Sequence, residues 1–181
     1  MLSYNVTDLL RSAPGTAREY PLAADGMRID DDLAVAAPIR GTVRLAHTGR
    51  GIIARGHITT ALPETCSRCL VDTLSPVEVD FTEEALPSVD LDSGTPVPHE
   101  DDDPDILLLD DHHELDLTGT VRDAISLAEP IVVLCRPDCR GLCLICGSDL
   151  NADPAHGHGE DDIDPRLAAL AAIRERLHPP A

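Results

Sequence analysis

Leu134-Cys135-Arg136-Pro137-Asp138-Cys139-Arg140-Gly141-Leu142-Cys143-Leu144-Ile145-Cys146-Gly147-Ser148-Asp149-Leu150-Asn151 holds four of the six cysteines of the chain. The other two, Cys66 and Cys69, form a second compact cluster, Cys66-Ser67-Arg68-Cys69. Two thiolates with two residues between them can grip one ion from a tight turn whose amides point at the sulfurs. Cys143-Leu144-Ile145-Cys146-Gly147 has that form, and Gly147 relieves the backbone after the second ligand. Cys135 and Cys139 have three residues between them, a spacing that zinc sites also use. Zinc suits tetrahedral sulfur ligation and needs no redox change.

The ligand sets compete. The first expectation is a clamp of Cys66, Cys69, Cys143 and Cys146, which would tie the front half of the chain to its end. A purely local set is Cys135, Cys139, Cys143 and Cys146. A third draws on His156 and His158, which stand as a His-x-His pair after the cysteine-rich run. Together the eight candidates can fill two four-coordinate sites. Competing readings are structural thiols without metal, a redox Cys-x-x-Cys, and an iron–sulfur cluster on Cys139, Cys143 and Cys146. The redox reading lacks the strand–helix context that lowers a thiolate pKa. His47, His57, His99, His112, His113 and His178 read as ordinary polar residues.

No catalytic constellation accompanies the cysteines. Ser67 and Ser148 lie in no nucleophile elbow, and the sequence has neither a His-Glu-x-x-His motif nor a phosphate-cradling glycine loop. Four protein ligands would leave no open position for water or substrate, so the metal site reads as structural.

Charge narrows the partners. The formal net charge is -19, with all fourteen basic residues arginine, which repels nucleic-acid phosphates and favours a basic protein partner. The bland reading is an acidic, well-solvated surface. Direct nucleic-acid binding would need a local arginine face, for which Arg136 and Arg140 are the candidates. Six cysteines could form three disulfides in a secreted protein. The opening Met1-Leu2-Ser3-Tyr4-Asn5-Val6 has neither a basic leader nor an apolar run, so the expectation is a cytoplasmic protein with reduced thiols. No stretch reaches the ~18 apolar residues of a membrane span.

Patterning predicts an α+β fold: an antiparallel sheet with packed helices and a cysteine-rich, zinc-stabilised segment. Aromatics are 2% of the chain, so the core is built from Leu, Val, Ile and Ala. Val6, Leu9 and Leu10 mark a short helix capped by Asn5 or Thr7. Residues 18–22 suggest an edge strand. Val35, Ile39, Val43 and Leu45, a turn at Gly49 and Gly51, and the run 52–62 predict a hairpin. The first cysteine pair then sits at a turn before a second extended run over 71–81. Residues 84–114 form a flexible acidic loop in which 106–109 is an apolar island. Eleven acidic residues and no lysine or arginine fall between Asp90 and Asp116, and a solvated linker explains them better than a cation site. Thr118 is the expected N-cap of a helix bearing Val121, Ile125 and Ala128, stopped by Pro130. Residues 131–134 read as a buried strand or an extended segment. Pro165 starts a last helix over 164–178, with Leu167, Leu170, Ile173 and Leu177 on one face. The whole, 1–181, reads as one domain.

The run 134–151, together with Cys66-Ser67-Arg68-Cys69-Leu70 and the helix-then-apolar stretch 115–134, resembles the YceD family. The likeness spans roughly residues 35–155. Some related chains carry a Cys-x-Cys where this one has His156-Gly157-His158. The resemblance implies a cytoplasmic, non-enzymatic factor in synthesis, processing or stability of 23S ribosomal RNA. It also implies a large-subunit ribosomal protein or assembly factor as partner. The rival functions are a thiol-redox or metal-dependent enzyme and a zinc-containing nucleic-acid-binding module.

Overall fold

A computed structural model describes residues 2–98 and 106–158. The chain divides into two compact units, Met1–Cys139 and Arg140–Ala181. Among the described residues the first unit holds every regular element: β1 (Ser3–Asn5), α1 (Thr7–Leu10), β2 (Ala17–Ala24), β3 (Ile39–His47), β4 (Ile52–Thr65), β5 (Asp72–Pro87), β6 (Leu107–Leu109), β7 (Glu114–Asp116) and α2 (Thr118–Leu127).

Period-two alternation makes the sheet. Along β4, Ile52, Ala54, Ile58 and Leu62 are buried while Arg55, His57 and Thr59 face solvent. Along β5, Val77, Phe81 and Ala85 are buried while Glu78, Asp80 and Thr82 are exposed. The five-stranded sheet runs β2-β3-β4-β5-β6. Its first four strands are antiparallel. β6 lies parallel to β5 and covers only Ala85, Leu86 and Pro87. β1 and β7 form a separate antiparallel pair. Gly56 stands opposite Phe81, and a Cβ there would overlap the Phe81 ring. The glycine makes room for the one phenylalanine of the chain.

Three prolines fix the hydrogen-bond phase of the sheet. Pro21 faces Thr42, Pro63 faces Leu74 and Pro76 faces Ala61. Proline has no N–H to give, so each sits in a pair whose backbone polar groups point away from one another. The Pro21 carbonyl accordingly accepts the Tyr4 hydroxyl from outside the sheet, at 3.1 Å. By the same alternation, Glu78, Asp80 and Thr82 share the phase of Pro76 and turn their N–H and C=O away from β4.

One apolar cluster joins the elements. Ile39, Val43, Ile52, Ile58 and Leu62 of the sheet meet Val6 and Leu9 from the N-terminal segment, and Val121 and Ile125 from α2. The architecture is mostly sheet with few helices. The helix content is lower than an α+β reading supposes: β4 and β5, at 14 and 16 residues, each match or exceed the two helices together, at 4 and 10. The residues expected to form the last helix, 164–178, lie outside the described residues.

Several local expectations change. The N-cap of α2 is Leu117, not Thr118. Asp116 does the capping work, its Oδ1 accepting the Thr118 N–H at 2.9 Å. In α1, Asn5 Oδ1 accepts the Thr7 N–H at 3.2 Å, although Val6 holds the cap position. Residues 131–134 are no strand: Ile131 is 101% and Val132 66% exposed. Among the described residues no sheet strand pairs with them, and the Val133 carbonyl instead accepts the Ser67 N–H of the cysteine turn. The acidic stretch 84–114 begins inside β5 and contains β6, whose Leu109 is fully buried. Asp90 organises a turn within it, its Oδ1 accepting from Ser93 N–H and Oγ–H.

Candidate metal centres

Two turns share one construction. In the first, Cys66 N–H donates to the Val71 carbonyl and Leu70 N–H to the Cys66 carbonyl, both at 2.9 Å. In the second, Cys143 N–H donates to the Ser148 carbonyl and Gly147 N–H to the Cys143 carbonyl, both at 2.8 Å. The residue after the second cysteine is left-handed in each, Leu70 at φ 59° and Gly147 at φ 74°. This turn places two sulfurs on one side of a loop.

The sulfurs of each turn meet a second pair of ligands. Cys66, Cys69, Cys135 and Cys139 bring their Sγ atoms within 4.8 Å of one another, all inside the first unit. Cys66 and Cys139 are 3.8 Å apart, Cys69 and Cys135 3.6 Å. A tetrahedral ion at ~2.3 Å from each sulfur separates the sulfurs by ~3.8 Å, so the set fits one zinc-sized ion. None of the six cysteines is disulfide-bonded. The β4–β5 hairpin presents the first pair. Ser67 N–H to the Val133 carbonyl, 2.8 Å, and the Arg68 guanidinium to the Cys139 carbonyl, 2.7 Å, hold the second pair against it.

In the second unit, Cys143, Cys146, His156 and His158 likewise lie with their ligand atoms within 4.8 Å. Cys143 Sγ to His158 Nε2 is 3.2 Å, Cys146 Sγ to His156 Nε2 3.1 Å, and the two Nε2 atoms are 3.1 Å apart. Zinc at ~2.0 Å from nitrogen and ~2.3 Å from sulfur puts such atoms ~3.3 to 3.5 Å apart. The set fits a four-coordinate ion. A run of local bonds shapes it: Leu150 N–H to the Gly141 carbonyl at 3.0 Å, Asn151 Oδ1 accepting Arg140 N–H at 2.8 Å, and His156 N–H to the Asp153 carbonyl at 3.2 Å. Asp153 Oδ2 stands 4.0 Å from His156 Nδ1, a carboxylate beside the ring nitrogen that does not face the sulfur of Cys146.

The eight sequence candidates thus sort into two groups of four. Neither sulfur-only set expected from the sequence forms. Cys66 and Cys69 meet Cys135 and Cys139, not Cys143 and Cys146, and the latter pair takes the two histidines. The hairpin and the Ser67–Val133 bond bring 131–139 to the first turn, while the short loop 147–155 returns the histidines to the second.

Electrostatics prepare one sulfur in each group. The Cys66 thiol is drawn down to about 6, first by the backbone amide of Cys135 and then by that of Cys69. The Cys146 thiol is drawn down to about 6, first by the Ser148 hydroxyl, 3.1 Å away, and then by the Ser148 amide. Loss of water around its sulfur, then the neighbouring thiols, push Cys135 up to about 12. A crowd of sulfurs resists carrying several negative charges, and a dication relieves that repulsion.

Arg136 Nε lies 3.4 Å from Asp138, and the Arg140 guanidinium donates to the Pro154 carbonyl at 2.9 Å. Arg68, Ser148, Asn151 and Asp153 support the centres and are not readable as such from residue type. Ser148 and Asn151 at least lie inside the cysteine-rich run.

These features define a mostly-sheet protein with two groups of four residues that could each hold a metal ion. Residues 54–174 match the family described as large ribosomal RNA subunit accumulation protein YceD. An uncharacterised protein of Mycobacterium tuberculosis is 34% identical over 132 residues, 72% of this chain and 59% of its own length. An uncharacterised Mycobacterium leprae protein is 32% identical over 135 residues, 74% of this chain and 58% of that one. A chloroplastic Zea mays protein named as a YCED homolog of the same accumulation protein is 45% identical over 38 residues, 21% of this chain and 13% of its own. No solved structure matches. The chain spans about three fifths of the length of the mycobacterial relatives it matches. The chain belongs to the YceD family.

Proposed function

We propose that this protein is a non-enzymatic factor for accumulation of large-subunit ribosomal RNA, acting by binding a basic ribosomal or assembly protein. The observation that carries the reading is the family match over 54–174, which includes both ligand groups. Each group holds one structural zinc ion. Four protein ligands per ion leave no coordination position for substrate, which supports a structural role over catalysis. Thiols already drawn towards ionisation at Cys66 and Cys146 suit metal ligation, since binding releases fewer protons. The net charge of -19 supports a protein partner over naked RNA. The site of action is the compartment where the ribosomal RNA is made, the cytoplasm in a bacterium.

Deleting the gene and measuring 23S RNA and subunit profiles tests the function. Reduced 23S RNA, restored by the native chain and not by a Cys66→Ser, Cys139→Ser variant, is expected. Unchanged 23S RNA and normal subunit profiles would remove the proposal.

A further inference from the structure

We propose that the outer edge of β5 is a docking strand for an extended basic segment of a partner protein. The proposal deepens the reading of this chain as a protein-binding factor and rests on it. β5 has 16 residues, yet β6 covers only its last three, Ala85, Leu86 and Pro87. On the other side β4 pairs its full length. The proline phase turns the N–H and C=O of Glu78, Asp80 and Thr82 towards the uncovered side, and among the described residues no backbone group meets them there. A strand edge that the described residues leave unpaired adds a further strand from another chain unless it is blunted.

The surroundings choose the occupant. A groove of about 760 Å³ lies along this edge, between β5 and α2. Five consecutive residues, 79–83, line it, which marks a strand edge rather than a sheet face. Its apolar walls include Val79, Phe81, Ala124 and Leu127, and Leu127 is 89% exposed, an apolar side chain left at the lip. Its charged lining is Asp80, Glu83 and Asp123, with no arginine or lysine. On the solvent face His57 stands 2.9 Å from Asp80 and 3.6 Å from Glu78. Asp123 lies 3.5 Å from its neighbour Arg122, and Glu83 has no ion pair among the described residues. The complement is a strand with alternating apolar and basic side chains. Its main chain pairs with Glu78, Asp80 and Thr82, its apolar side chains enter the groove, and its cations meet the carboxylates.

The test is fluorescence anisotropy of the full metal-loaded chain with a labelled peptide of alternating arginine and valine. The expected result is saturable binding, weakened by added salt, with no binding of the glutamate–valine counterpart. Thr82→Pro removes an outward N–H that β4 does not use, so it spares the ladder while blocking the edge. It should weaken binding about tenfold or more. Glu83→Lys with Asp123→Lys should do the same if the proline variant misfolds. No saturation at ~1 mM peptide, equal binding by both variants, equal capture of the acidic peptide, or an edge that instead closes on a second copy in sedimentation would each overturn the proposal. Failed capture alongside reduced 23S RNA in a deletion strain removes the docking edge and leaves the function. Capture alongside normal 23S RNA supports the edge and removes the function.

Discussion

The two cysteine turns are built alike and embedded differently. The Cys66–Cys69 turn grows from a long hairpin with its own apolar core, and Cys66 and Cys139 are 0% and 1% exposed. The Cys143–Cys146 turn has no strand or helix among the described residues of its unit, only turns and the single bridge between Leu142 and Asp149. Cys146 and His158 are exposed. The same backbone device therefore does two jobs. In the first unit an ion would staple an existing sheet, and in the second it would be the local structure.

The largest contrast is expected on removing a ligand pair. Structural zinc contributes roughly 10–16 kcal/mol in zinc-finger peptides, far above what a few turn hydrogen bonds supply. Cys143→Ser with Cys146→Ser should abolish amide-exchange protection at Cys143, Gly147 and Leu150. Cys66→Ser with Cys69→Ser should leave the β4–β5 ladder protected away from the turn. Equal global unfolding in both variants would erase the distinction.

The reverse cut goes through the core. Phe81→Ala should destabilise the first unit by about 3–5 kcal/mol, read from urea unfolding. The metal content of the second unit should not change. If that metal is lost as well, the second centre depends on the sheet.

A smaller effect is expected around the histidines. Asp153→Asn should lower metal affinity at the second centre by about tenfold, measured by chelator competition, because it weakens the support of His156 Nδ1. The first centre serves as internal control.

The smallest effects test the shared backbone. Leu70 is left-handed at φ 59° and its side chain is 65% exposed, so Leu70→Gly should stabilise the first unit by about 1 kcal/mol. Gly147→Ala should cost the second unit about 1 kcal/mol, since no clash awaits the new Cβ and only the φ is unfavourable. Melting curves with opposite signs are expected; two shifts of the same sign would show that the turns are not equivalent.

The sequence exposes some of this and conceals the rest for physical reasons. The hairpin is legible because Ile52, Ala54, Ile58 and Leu62 alternate with polar residues around a glycine-rich turn. The full reach of β5 is not, because Glu83, Glu84 and Pro87 resemble loop residues, and register with β4 overrides that propensity. The β1–β7 pairing joins Ser3 to Asp116, a contact that no local pattern encodes. Residues 131–134 mislead because apolarity normally signals burial. The eight ligand types are legible from their spacing, but their partition is not: it depends on which loop the fold returns to which turn. Cys66 finds Cys139 through the Ser67–Val133 bond, a tertiary fact.

The fold sorts the eight candidate ligands into two separate groups of four. Metal content per chain, by elemental analysis together with native mass spectrometry of purified protein, tests it most directly. Two zinc ions per native chain are expected, one after Cys66→Ser with Cys139→Ser, and one after His156→Ala with His158→Ala. A single ion that persists when both histidines are replaced, and is lost when either Cys66–Cys69 or Cys143–Cys146 is changed to serine, would contradict the account.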